Sequence, residues 1–72
     1  MMEKIIINTP FIRLDAFLKF SGMVGTGGQA KIVINEGLVK VNDEICTARG
    51  KKLFGGERVE FEGQSVTVVK EE

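Results

Sequence analysis

The chain has 72 residues, 43% hydrophobic and 28% charged, with equal numbers of basic and acidic side chains, one cysteine and no histidine. That is enough for one small globular domain and too apolar for a disordered tail. It excludes a membrane-spanning helix, since no apolar run approaches ~20 residues, an internal disulfide, since Cys46 stands alone, and imidazole catalysis.

The segment Met1 to Ile7 is too short and too acidic for a secretory signal, and its β-branched run Glu3 to Ile7 predicts a strand. Thr9-Pro10 predicts a helix start, with Thr9 as the cap and proline at the first helical position, where its missing donor is not needed. Phe11, Leu14, Phe17 and Leu18 continue it as an apolar stripe at helical spacing, Asp15 and Lys19 form a favoured pair four residues apart, and Gly22 ends it. Thr26 and Gln29 then stand at capping-box spacing. A second helix follows from Gly27 to about Glu36, turning Ala30, Val33 and Ile34 inward and stopping at Gly37. Gly27 and Gly28 weaken its first turn by up to ~1 kcal/mol each, which suggests a use for bare backbone there.

Past Gly37 the apolar period drops to two. Val39-Lys40-Val41 and Ile45-Cys46 flank a turn at Asn42-Asp43, Thr47 to Lys52 is a basic loop, and Gly55-Gly56 turns again. Val59-Glu60-Phe61 and Val66-Thr67-Val68 form a second hairpin around Gly63-Gln64. The order of strand, helix, helix and several short strands predicts a single α+β domain over residues 1–72, its two helices packed on a small, mostly antiparallel sheet. Cys46 is expected as a small core residue with no base to activate it. With no cysteine and histidine cluster, no metal is expected, no cofactor motif is present, and the lone thiol suits a reducing cytoplasm. A core this small leaves little material for a catalytic cavity, so an enzyme is not expected.

The zero net charge hides an uneven distribution. From Arg13 to Lys52 seven bases face four acids, whereas from Leu53 onward two bases face five acids. Such a chain can present one basic and one acidic face. The glycine-rich stretch Gly25 to Gly28 opens a helix, whose N-terminus carries unpaired amides and partial positive charge. Lys31, four residues after Gly27, falls on the same side of that helix. No Gly-Lys-Ser/Thr follows, so the stretch is not a nucleotide P-loop. Arg49, Lys51 and Lys52 form a short loop cluster, and Lys40 projects from a hairpin. Lys19 is expected to be engaged by Asp15. Base stacking by an exposed aromatic is open to Phe20 or Phe54.

The run Arg13-Leu14-Asp15-Ala16-Phe17-Leu18, then Gly22, then Thr26 to Ala30, then Gly37-Leu38-Val39-Lys40-Val41-Asn42, resembles the RNA-binding domain named after ribosomal small-subunit protein four, the S-four-like domain or alpha-L motif. The late Gly-Glu-Arg-Val-Glu-Phe segment resembles the family's closing strand, so the likeness covers residues 13 to about 61. In length the chain is similar to the family's small stand-alone members. The resemblance implies a non-catalytic module that binds structured RNA, ribosomal RNA or a ribosome assembly particle, with possible contacts to ribosomal or assembly-factor proteins. Family members fused to pseudouridine synthases or tyrosyl-tRNA synthetases take their chemistry from other domains. The candidate RNA-binding residues are Arg13, Thr26, Gly27, Gly28, Gln29, Lys31, Lys40, Arg49, Lys51 and Lys52. Thr26-Gly27 stands where the family has Ser-Arg, so a usual RNA-contacting arginine is missing, and Asn42-Asp43 stands where Asn-Gly is common. The alternative function is a protein-interaction adaptor that uses the acidic strand surface at Glu57, Glu60 and Glu62.

Overall fold

A computed structural model describes residues 2–71. Met1 and Glu72, the ends of the expected 1–72 domain, lie outside the described residues. In chain order the elements are β1 (Met2–Ile7), β2 (Ile12–Arg13), α1 (Leu14–Phe20), α2 (Gly27–Asn35), β3 (Val39–Val41), β4 (Glu44–Ile45), β5 (Lys52–Leu53), β6 (Arg58–Phe61) and β7 (Gln64–Lys70). Five strands form one sheet in the order β1-β7-β6-β3-β4, and β2 with β5 forms a separate two-stranded ribbon. Among the described residues β1 and β7 run parallel and the other pairs antiparallel, β3–β4 and β6–β7 being the predicted hairpins.

Burial alternates along β3, β6 and β7. One sheet face therefore turns Val39, Val41, Val59, Phe61, Val66 and Val68 into a core closed by Leu14, Phe17 and Leu18 of α1 and by Ala30, Val33 and Ile34 of α2. The opposite face, with Lys40, Arg58 and Glu60, is open to solvent at period two.

The first helix differs from the expectation. It begins at Leu14 with Arg13 as its N-cap, not at Thr9-Pro10. The Thr9 hydroxyl donates to the carbonyl of Phe11 (2.9 Å) instead of accepting from a helix amide. Ile12 and Arg13 are drawn into the ribbon, opposite Leu53 and Lys52. Phe11 consequently leaves the apolar stripe and is 37% exposed. At the far end, Gly22 takes φ +82°, the left-handed conformation that stops a helix.

The second helix follows its sequence closely. Gln29 N–H donates to Thr26 Oγ1 (3.0 Å), and Gln29 Oε1 reaches back to the amide of Gly25 (3.0 Å). Gly37 at φ +74° closes it. Asn42 and Asp43 both adopt positive φ, the requirement of a tight two-residue hairpin. Arg58 fastens that turn: its amide donates to Asn42 Oδ1 (3.0 Å) and its guanidinium to the Asp43 carboxylate. The other hairpin turns at Glu62-Gly63, one residue before the expected Gly63-Gln64, because Gln64 already pairs with Phe61. Cys46 lies just beyond β4, half-buried against the core, with its amide on the Val39 carbonyl (3.0 Å). Among the described residues no helix is long and apolar enough to cross a membrane.

Candidate nucleic-acid interface

The two helix N-termini are treated in opposite ways. At α1, with no side-chain cap on Arg13, the basic loop supplies the missing acceptors. Leu14 N–H donates to the Lys51 carbonyl (2.8 Å) and Asp15 N–H to the Arg49 carbonyl (3.1 Å). These bonds satisfy α1 and strap the loop, with Arg49, Lys51 and Lys52, across its start. At α2 the Thr26 hydroxyl satisfies Gln29 N–H and the Thr26 carbonyl satisfies Ala30 N–H (3.1 Å). The amides of Gly27 and Gly28 have no partner among the described residues. They stand at the positive end of the helix with no Cβ to shield them. An anion can approach α2 where it cannot approach α1.

Arg13, Asp15, Ala16, Lys19 and Gly27 line one groove of about 250 Å3, which brings the free end of α2 against the exposed side of α1. Ala16 and Lys19 also line the adjoining depression with Ile12 and Phe20. Asp15 pairs with Arg13 (3.1 Å) and accepts from the amide of Ala16 (2.8 Å). The expected Asp15–Lys19 pair is replaced, because Arg13 sits at the cap, beside Asp15. Lys19 therefore has no ion-pair partner among the described residues. It is the site residue that sequence reasoning set aside. Its signal was there: Ala16, Lys19 and Phe20 recur at helical spacing on the side opposite the buried Leu14, Phe17 and Leu18.

Of the predicted site residues, the structure gathers Arg13 and Gly27 in this groove, with Gly28 beside Gly27 and Lys31 one turn further along α2, exposed. Arg49, Lys51 and Lys52 are tethered at the start of α1, and Gly50 lies against the Arg13 guanidinium. Lys51 also borders a second groove with Asn42, Glu44 and Ile45. Thr26 and Gln29 are exposed, but their polar atoms serve the cap, so they hold the helix end open. Lys40 is not brought to this place. It stands on the open face of the sheet, directly across from Glu60.

The acidic surface is largely engaged internally. The Glu57 carboxylate accepts from the amides of Phe54 (2.8 Å) and Gly55 (2.7 Å), and Glu60 lies 3.3 Å from Arg58. The hydrogen bond to Asp43, its charge and then Glu60 raise the Arg58 guanidinium above its ordinary pKa against an opposing desolvation. Among the described residues no group of three or more potential ligands could hold a metal ion.

These features define a class: a small two-helix module on a mixed sheet, with one helix end left open in a cation-bearing groove. The chain belongs to the S4 domain family, whose model matches residues 5–69, beyond the expected 13–61 at both ends and into β1 and β7. It is 44% identical over 63 residues to "Probable ribosome maturation protein RlbA" of Bacillus subtilis (strain 168), covering 88% of this chain and 89% of that protein. It is 43% identical over 60 residues to "Putative RNA-binding protein YbcJ" of Escherichia coli (strain K12), covering 83% and 86% respectively. A solution structure of E. coli YbcJ, described as revealing an alfaL motif involved in RNA-binding, superposes with a TM-score of 0.68 at 38% identity over 94% of this chain and 85% of that one.

Proposed function

We propose that this chain is a non-catalytic RNA-binding module that grips structured RNA, ribosomal RNA or a ribosome assembly particle, as a soluble cytoplasmic component. The names carried by RlbA and YbcJ support the reading, since both relatives align over most of their length. The observation that carries it is the open end of α2. Gly27, whose amide is unpartnered among the described residues, lines a groove with the unpaired Lys19 and the Arg13–Asp15 pair, and Gly28 follows it in the chain. A phosphate seated there meets backbone donors and the unpaired Lys19 ammonium, with the Arg13–Asp15 pair at its edge. Lys31 and the tethered Arg49, Lys51 and Lys52 extend positive charge to neighbouring phosphates of a helix recognised by its shape. The backbone of Gly27 thus stands in for the missing arginine. Contacts to ribosomal or assembly-factor proteins accompany this role. The adaptor alternative has less support, because Glu57 and Glu60 are engaged within the chain and only Glu62 of the three is free among the described residues.

Titration of a structured RNA hairpin by gel shift at increasing salt tests the proposal. If about four phosphates are neutralised, affinity falls on the order of a hundredfold between low and moderate salt. A flat dependence overturns the proposal.

A further inference from the structure

Resting on the RNA-binding reading, we infer that the outer face of the β2–β5 ribbon is a stacking platform for an unpaired nucleobase next to the gripped RNA helix. In the ribbon Ile12 lies opposite Leu53 and Arg13 opposite Lys52. Side chains alternate along each strand, so Ile12 and Leu53 share one side and Arg13 and Lys52 the other. Leu53 is fully buried and Ile12 packs against the core, which identifies the inner side. Phe11 and Phe54, one step further along, fall on the outer side with the two cations.

The coordinates agree with that alternation. The rings of Phe11 and Phe54 meet at 6.1 Å between centroids, tilted by 55°. The Lys52 ammonium lies 4.8 Å from the centre of the Phe11 ring. Phe11 is 37% and Phe54 55% exposed, although the buried cluster takes fifteen other apolar residues. Two partly exposed rings share this face with two like charges across a strand pair; Asp15 pairs with Arg13 and the Phe11 ring lies beneath Lys52, so the open face of Phe54 is what the fold leaves unused.

Together they match one chemistry. A nucleotide carries a flat π-face and an anionic phosphate. The open ring of Phe54 takes the base, and Arg13 and Lys52 take the phosphates that flank it. Arg13 also lines the groove at the end of α2. It is therefore the hinge between the helical RNA and the strand leaving it. Apolar protein ligands would gain nothing from the two cations, whereas a single-stranded RNA tail uses both.

The test compares a blunt RNA hairpin with the same hairpin extended by an unpaired oligoadenylate tail containing a fluorescent adenine analogue. The full chain and its Phe54→Ala and Phe54→Leu variants are used. Both substitutions are at an exposed ring, and Leu keeps apolar bulk while removing the π-face. The expected result has four parts: the tailed hairpin binds more tightly than the blunt one; the analogue's emission changes on binding; both variants lose about tenfold on the tailed hairpin; and both keep wild-type affinity for the blunt one. Equal binding of tailed and blunt hairpins by wild type and variants alike overturns the platform and leaves the RNA-binding reading intact. No binding of either hairpin by wild type overturns both. Self-association of the wild type that Phe54→Ala abolishes assigns the rings to a second copy and also overturns the platform.

Discussion

Replacing Gly27 and Gly28 by alanine separates what the open end of α2 does for the fold from what it does for a ligand. Both positions lie in the first turn with helical backbone, so alanine meets no conformational strain. A Cβ built at Gly27 meets nothing within 4 Å, and one at Gly28 meets only Thr26 Oγ1 at 3.9 Å, an ordinary contact. Each substitution should therefore stabilise the domain by about 0.5–1 kcal/mol through reduced freedom of the unfolded chain. For a domain of this size that raises Tm by roughly 4–8 °C per kcal/mol. The same methyl groups lean toward the helix N-terminus, over the free amides. A phosphate held back from those donors loses part of a charge-assisted contact, and affinity for a blunt hairpin should fall about tenfold. Thermal melting followed by circular dichroism and a hairpin gel shift on the same preparations provide both readouts. A double variant that melts higher and binds as well as wild type refutes the phosphate seat. One that melts lower refutes the claim that the backbone there is bare for reasons other than folding.

Two further outcomes are expected. Lys31→Glu should weaken hairpin binding several-fold with Tm nearly unchanged, because Lys31 is exposed and forms no ion pair among the described residues; equal binding in a gel shift removes Lys31 from the interface. Glu57→Ala frees the amides of Phe54 and Gly55 and should cost about 1 kcal/mol of stability, read as a lower Tm, while blunt-hairpin affinity stays at the wild-type level.

Where the sequence was legible, the determinants were local. The cap of α2 needs only Thr26 and Gln29, and the first hairpin turn only residues that tolerate positive φ. The start of α1 was misread because Phe11, Leu14 and Leu18 keep helical spacing while the competing partner of Ile12 and Arg13 is β5, far along the chain. That one non-local pairing moves the helix start, releases Lys19 from Asp15 and turns Phe11 outward. The place of Lys40 was illegible for a related reason. A hairpin's alternation shows which side chains share a face, but which face receives the helices is settled by the packing of the whole sheet.

The parallel register of β1 with β7 has a bearing on how the molecule is made. Met2 pairs with Ser65 and Ile7 with Lys70, and the amide of Glu71 closes on the carbonyl of Ile7. β1 is made before β7 and must wait for it before its backbone finds a neighbour in the sheet. Until then Ile7 has no layer to enter, while the hairpins and helices between can already assemble. A chain cut short before β7 would leave β1 with no partner in the sheet.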